Sequence, residues 1–201
     1  MNGITPAPER LNLPARAVAL LALDGQELGG AALRMGPGPE VDEWLDALRG
    51  SLPGNTPWRR LPASIDDDRL LGGLDMSASL AAGRPLLSTG LLVEANDGAL
   101  ILPMAERLDR GTAARIAAVM DRGAVQLERD GMTRNLPTRF SLLALDEERD
   151  DETTLSPDLR DRLAIQKSAR DIEDAQEPIL PLAPQQVRAP RKRLYTIDST
   201  V

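Results

Sequence analysis

The stretch Met35–Asp42, MGPGPEVD, lies between a short apolar run and an amphipathic segment. That is the layout of a phosphate-binding loop, G-x-x-x-x-G-K-[ST], in which backbone amides hold phosphates, a lysine reaches the terminal phosphates and a hydroxyl binds Mg²⁺. Here Glu40, Val41 and Asp42 replace the second glycine, the lysine and the hydroxyl residue. Two prolines inside the stretch each remove an amide that phosphate would need. The pattern predicts a loop that has kept its scaffold and lost its nucleotide chemistry.

The acidic residues Glu40, Asp42 and Glu43 have two interpretations. Facing a triphosphate, they would repel it by about 1–4 kcal/mol per close pair, depending on the local dielectric. Alternatively, they only stabilise the positive end of the helix that they open. Both interpretations predict that this site does not hydrolyse ATP.

A second apolar run, Ala99–Leu102, is a candidate buried strand that ends at Pro103 and Met104. In P-loop ATPases a strand of this kind ends in carboxylates that order Mg²⁺ and activate water. An apolar strand end is common in buried strands and by itself is no evidence that a magnesium site has been lost. Together with the altered loop, it indicates that the magnesium site has also been lost.

Composition excludes several classes of chemistry. The chain has no cysteine and no histidine, which removes thiolate nucleophiles, the usual general base and the commonest metal ligands. Carboxylate clusters remain at 66–68 and 150–151, but they lie in polar runs and are expected to be solvated. A formal net charge of −7 disfavours nucleic acid as a partner. No apolar run reaches the roughly 18 residues of a membrane span, and the first residues lack a signal-peptide layout, so we expect a cytoplasmic protein.

Hydrophobic spacing predicts alternating helices and strands, hence an α/β domain with a largely parallel sheet. Glycine, proline and an Asp-Gly pair mark the breaks between them. The predicted helices are Arg10–Leu23, Glu40–Leu48, Met76–Ala82, Leu91–Asn96, Ala105–Met120 and one opened by Ser156 and Pro157; the predicted strands are Ala31–Met35, Ala99–Leu102, Phe140–Leu145 and a hairpin from Val125 to Leu136 that turns at Asp130-Gly131.

Beyond Ile165 the composition changes. Four prolines fall between residues 178 and 190, among Gln, Ala and Arg, which is typical of an extended linker. We therefore predict a domain over residues 1–165 and a disordered, Pro-rich tail over 166–201.

Four stretches resemble the AAA+ module of magnesium chelatase, and in particular that of its D subunit from anoxygenic phototrophic bacteria. They are Asp68–Leu92, Gly90–Leu108, the hairpin Gly123–Phe140 and Leu155–Leu163. The resemblance covers roughly residues 10–165. In that family the related I subunit keeps its ATP motifs and the D subunit has commonly lost them, so Val41, Asp42, Pro103 and Met104 fit the D class. The implied fold is an AAA+ P-loop NTPase-like parallel sheet flanked by helices, with a β-hairpin insert.

The resemblance also implies a role for the segment LSPDLRDRL. It is similar to the stretch that carries the arginine finger of AAA+ rings, which places the finger on Arg162, with Arg160 as the competing candidate. The alternative is that Arg162 pairs with a surface carboxylate such as Asp158, four residues earlier. The hairpin resembles an insert used for contacts between modules, or it is a hairpin without that role.

The implied function is a non-catalytic, platform or regulatory subunit of the ATP-dependent complex that inserts Mg²⁺ into protoporphyrin IX for bacteriochlorophyll. On this hypothesis the chain itself binds no cofactor or metal, the I subunit carries Mg·ATP in a ring, and an H subunit holds the porphyrin. A D subunit normally continues into a domain with a D-x-S-x-S metal motif, whose spacing Asp198-Ser199-Thr200 lacks. The alternative is a stand-alone protein-binding adaptor derived from an inactive AAA+ fold.

Overall fold

A computed structural model of the chain describes residues 13–34, 38–84, 86–129, 132–147 and 155–168. The strands are β1 Gly30–Arg34, β2 Trp58–Arg60, β3 Gly98–Leu102, β4 Ala124–Arg129, β5 Met132–Pro137, β6 Phe140–Asp146 and β7 Ile165–Ser168. Five of them form one sheet in the order β2-β3-β6-β1-β7, with every neighbouring pair parallel. Strands β4 and β5 pair with each other as an antiparallel hairpin.

Helices connect these strands. They are α1 Leu13–Asp24, α2 Pro39–Ser51, α3 Asp67–Leu71, α4 Met76–Ala82, α5 Leu91–Glu94, α6 Arg110–Arg122 and α7 Pro157–Arg160. A 3₁₀ turn, Ala105–Arg107, lies between β3 and α6. The alternation of helices with parallel strands confirms the predicted α/β architecture.

One face of the sheet is covered by α1 and α2. In α2, Val41, Trp44 and Leu48 recur at helical spacing and pack with α1 against inward-facing strand residues such as Leu33 and Leu143. The opposite face packs against α6, α7 and the short helices α3 and α5. Because both faces are covered, the central strands β3 and β6 are buried at every residue, which is why they are continuous apolar runs in the sequence.

The prediction of one continuous helix over Ala105–Met120 is wrong for its first turns. The chain forms the 3₁₀ turn, leaves helical geometry at Leu108, and starts α6 only after Asp109. The Asp109 carboxylate accepts the Thr112 amide at 3.0 Å, an N-cap that fixes the new start. Hydrogen bonds from Thr112 hold the pKa of Asp109 below its ordinary value.

Two strands were not predicted. Strand β2 is three residues long, contains two arginines and pairs only with β3 at the sheet edge, so it lacks an apolar pattern. Strand β7 pairs with β1, Ile165 opposite Ala31, and continues to Ser168, past the predicted boundary at residue 165. The helix predicted after Pro157 ends at Arg160 because the chain must turn into β7.

Parts of the predictions lie outside the described residues: the loop at 35–37, the turn Asp130-Gly131, the acidic pair Asp150-Asp151 and everything from 169 onward. Among the described helices, none combines the length and the apolar character that crossing a membrane requires.

Candidate functional site

The carboxyl ends of the parallel strands meet at one edge of the sheet. Arg34 at the end of β1 is in register with Asp146 at the end of β6, and Leu102 at the end of β3 is in register with Ala144. From β1 the chain crosses to β2, the strand at one end of the strand order, and from β6 it crosses over β1 to β7, the strand at the other end. The connections that leave β1 and β6 therefore run in opposite directions across the sheet. Open α/β sheets bind ligands at such a position. The strand that leads into the first altered motif, β1, and the strand that leads into the second, β3, thus end at the same edge of the sheet, on either side of β6.

Helix α2 follows β1 and opens on acidic residues. Its N-cap is Gly38, which offers no side-chain cap, and Pro39 is the first helical residue. Glu40 and Asp42 are exposed, whereas Val41 is buried at 6% exposure against the α1 and sheet residues. The position that would hold the phosphate-binding lysine therefore belongs to the apolar core.

The end of β3 carries no carboxylate at Pro103 or Met104, but Glu106 lies just beyond. Its side chain is 1% exposed, lies 3.5 Å from the Arg107 Nε and accepts the Glu147 amide at 3.1 Å. The buried Asp146 accepts the Leu155 amide at 3.4 Å. These carboxylates fasten the segments that follow β3 and β6. Within the described ranges, no three acidic groups are arranged to hold a metal ion.

Arg162 lies at the opposite edge of the sheet, where the strands begin. Ala164 donates its amide to the Leu28 carbonyl at 3.0 Å as the chain enters β7. Gly29, at φ +70°, lies under this crossing, and a Cβ there would be 2.0 Å from the Arg162 carbonyl oxygen. Only glycine allows this close approach with that backbone angle. Roughly 15 Å of strand separates this amino edge from the carboxyl edge, where the altered motifs begin.

The Arg162 guanidinium is held by α6. Its Nε donates to Asp121 Oδ1 at 2.7 Å and its Nη2 to Oδ2 at 2.5 Å. Its Nη1 donates to the backbone carbonyl of Asp158. The hydrogen bonds from Arg162 lower the pKa of Asp121, and the same bonds raise the pKa of Arg162.

Arg162 does form an ion pair with a surface carboxylate, as the alternative predicts, but the carboxylate belongs to Asp121 and not to Asp158. Asp158 contributes its backbone carbonyl. Asp121 lies on a different element, so helical spacing around Arg162 could not identify it. The competing candidate, Arg160, donates from its Nη2 to the Leu155 carbonyl at 2.8 Å, a contact within its own segment of the chain.

A cleft of about 270 Å³ opens beside Arg162 at the amino edge. It contains a second arginine, Arg139, which was not predicted as a site residue. Its only sequence signal is its position directly before the buried strand β6. The lining is completed by residues from the α1–β1 loop, the end of α6 and the start of β6: Gln26, Glu27, Gly29, Met120, Asp121, Gly123 and Phe140.

The hairpin β4–β5 is anchored in the core at its base. Val125 and Leu127 are buried in the same cluster as α6, and Leu136 packs partly against it. The base of the hairpin is thus part of the domain core. Its use as a contact between modules stays a prediction.

The parallel sheet, its covering helices and the hairpin form an α/β module of the AAA+ type. No protein-family model matches the chain. It is 34% identical over 155 residues to the magnesium-chelatase 67 kDa subunit of Chlorobaculum parvum, covering 77% of this chain and 25% of that protein. It is 35% identical over 181 residues to the 60 kDa subunit of Cereibacter sphaeroides, covering 90% and 29%. This chain is homologous to the D subunit of magnesium chelatase.

A weaker similarity extends to the magnesium-chelatase 38 kDa subunit of Rhodobacter capsulatus, 28% identical over 168 residues, covering 82% of this chain and 47% of that protein. The chain spans about a quarter of the length of the 67 and 60 kDa relatives.

Two solved structures share the fold. A cryo-EM reconstruction of the complex between subunits BchI and BchD of magnesium chelatase matches with a TM-score of 0.59 and 25% identity, over 77% of this chain and 57% of that chain. A putative ATPase from Cytophaga hutchinsonii matches with a TM-score of 0.54 and 13% identity, over 80% and 51%, which bears on the fold alone. The AAA+-type fold and the D-class homology are thereby confirmed, and the stand-alone adaptor is not favoured.

Proposed function

We propose that this chain is a non-catalytic AAA+ module of a magnesium chelatase complex that inserts Mg²⁺ into protoporphyrin IX. A partner of the I class, here called the I-type partner, binds and hydrolyses Mg·ATP. This chain binds neither nucleotide nor metal, and an H subunit holds the porphyrin. The complex works in the cytoplasm. The observation that carries the proposal is at the carboxyl edge of the sheet, where the buried Val41 stands at the lysine position and β3 ends without a carboxylate.

The positions of the two edges suit a ring. Head-to-tail contacts between like modules place one surface of each subunit against a different surface of the next. In such an arrangement the amino edge of this module, with Arg162, faces the nucleotide edge of an ATP-binding neighbour. A charged, planar guanidinium is suited to the γ-phosphate.

Arg162 keeps donors for that role. An arginine side chain has five N–H groups, and the contacts to Asp121 and Asp158 use three nitrogens once each. One N–H on each terminal nitrogen therefore stays available. We propose that Asp121 positions the guanidinium and that these two donors reach the neighbour's phosphate.

The test measures ATP turnover by the purified chain, by the purified I-type partner, and by their mixture. We expect no turnover by the chain alone and a changed rate in the mixture, together with co-elution on size exclusion. Addition of the H subunit, protoporphyrin and Mg²⁺ should then give metal insertion that depends on this chain. Saturable Mg·ATP turnover by the chain alone, or absence of any complex with the I-type partner, would contradict the proposal.

A further inference from the structure

We infer that Arg139 is a second cation of the amino-edge cleft that contacts the triphosphate bound to the neighbouring subunit. The inference rests on the proposed function, because it needs an ATP-binding neighbour at this edge. Arg139 and Arg162 line the same cleft, but the surrounding residues hold them in different ways.

The backbone of Arg139 is fixed. Its amide donates to the Asn96 side-chain oxygen at 2.8 Å, and its carbonyl accepts the Asp97 amide at 2.7 Å. The next residue, Phe140, is 4% exposed and begins strand β6. The exposed side chain thus extends from a rigid base, which is what a contact to a neighbouring molecule requires.

The side chain of Arg139 lies over the end of α6. Gly123 ends that helix at φ +65°, and a Cβ built there would be 3.2 Å from the Arg139 Nε. Glycine at this position both allows the left-handed angle and leaves room for the guanidinium. The carbonyl end of a helix also favours a nearby cation.

The ion pair between Arg139 and Glu27 is weak, so Arg139 can leave Glu27 for another partner. Its Nη1 lies 3.3 Å from Glu27 Oε1, with the two side chains 63% and 69% exposed. Exposed pairs of this kind contribute about 0–1 kcal/mol. Arg162, by contrast, is 30% exposed and bound through two nitrogens to one carboxylate. A charge-assisted contact to phosphate in an interface is stronger than the exposed pair, so Arg139 is the arginine that can change partner.

The class of ligand follows from the two guanidinium groups of the cleft. With Glu27 and Asp121 paired to the two arginines, the free cleft is close to neutral. When Arg139 leaves Glu27, a guanidinium becomes available beside Arg162. Two guanidinium groups at one edge fit the several negative oxygens of a nucleoside triphosphate.

The experiment compares ATP turnover by the I-type partner mixed with the wild-type chain or with Arg139→Ala, Arg139→Lys or Arg59→Ala. Arg59 is the matched control, since it forms an exposed 3.2 Å ion pair with Glu94 on another element. We expect Arg139→Ala to lower kcat about tenfold or more, with unchanged affinity for the I-type partner and unchanged melting temperature. Arg139→Lys should not restore the rate because an ammonium lacks the planar fork. Arg59→Ala should behave as wild type.

The possible outcomes distinguish failure of the Arg139 inference from failure of the proposed function. If the wild-type chain changes the turnover and Arg139→Ala does so equally, the inference is overturned while the proposed function stands. If Arg139→Ala abolishes co-elution, or if lysine restores the rate fully, Arg139 is an interface or charge contact and the inference is overturned. If the wild-type chain neither binds the partner nor changes its turnover, the proposed function fails and the inference fails with it.

Discussion

Asp121 and Arg162 join the end of helix α6 to the segment that enters strand β7 through two parallel hydrogen bonds of 2.7 and 2.5 Å. The two residues are 41 positions apart in the chain. Their contact lies beside the crossing over Gly29, where the Arg162 carbonyl approaches the residue that precedes β1. The pair therefore fixes the orientation of a guanidinium at the edge of the sheet that faces away from the degenerate loop.

The first prediction concerns Arg162→Ala in the mixture with the I-type partner. We expect ATP turnover to fall about 10²-fold or more if Arg162 contacts the γ-phosphate. Folding should be retained, because the Asp121–Arg162 pair, whose carboxylate is half exposed, is worth about 1 kcal/mol. Steady-state ATPase assays and thermal melts measure the two effects. Arg160→Ala is the control; a loss there with full activity in Arg162→Ala would assign the role to Arg160.

The Asp121–Arg162 pair also predicts a pH dependence. The folded pKa of Asp121 is lowered from 3.8 by its hydrogen bonds with Arg162, so its stabilising contribution is present above that value. The contribution is lost as the pH falls from about 4 toward the folded pKa. Because the carboxylate is half exposed, we expect at most about 1 kcal/mol. Urea unfolding of wild type and Asp121→Asn should differ at pH 7, and the difference should shrink as the pH falls below about 4. A difference that grows with acidity would contradict this assignment.

The sequence predicted the elements whose patterns are set by burial. Strands β3 and β6 are continuous apolar runs because helices cover both faces, and α2 is recognisable from the spacing of its core residues. Helix α4 was predicted with its observed bounds, Met76–Ala82, because Asp75 caps one end and Gly83 ends the other in the left-handed conformation. Local chemistry determined these elements, and local chemistry is visible in a sequence.

Contacts between distant residues could not be predicted in this way. The partner of Arg162 lies on α6, and Arg139 enters the cleft only because β6 begins beside the end of that helix. Glu106 is buried and accepts an amide from the segment after β6. In each case the site depends on which strand ends are neighbours, and strand order is a property of the folded sheet.

A third prediction follows from the burial of Val41. Val41→Lys restores the lysine of the phosphate-loop pattern but places a cation at a position with 6% exposure in the core. We expect a loss of about 2–4 kcal/mol in the free energy of unfolding and no ATP turnover. The matched control, Asp42→Ser, restores the hydroxyl at an exposed position and should change stability little. Urea denaturation and an ATPase assay test both variants; nucleotide turnover by Val41→Lys would show that the loop lacks only its lysine.

The last prediction uses the indole of Trp44, which is fully buried between α2 and the sheet. Its Nε1 has no hydrogen-bond acceptor among the described residues. A buried donor without an acceptor is destabilising by about 1–3 kcal/mol, and this offsets part of the volume that Trp44→Phe removes. We therefore expect Trp44→Phe to cost about 1 kcal/mol and Trp44→Ala about 3–5 kcal/mol in unfolding free energy.

Circular dichroism in urea measures both Trp44 variants without relying on tryptophan emission. Trp58→Phe is the control, because Trp58 lies on the edge strand β2 with the Arg49 guanidinium 5.9 Å from its ring centre; the cost there should be about 1 kcal/mol or less. If Trp44→Phe were as costly as Trp44→Ala, the indole N–H would have an acceptor and the packing of α2 against the sheet would depend on that bond. A small cost for phenylalanine instead identifies ring volume as the property that holds α2 against the sheet.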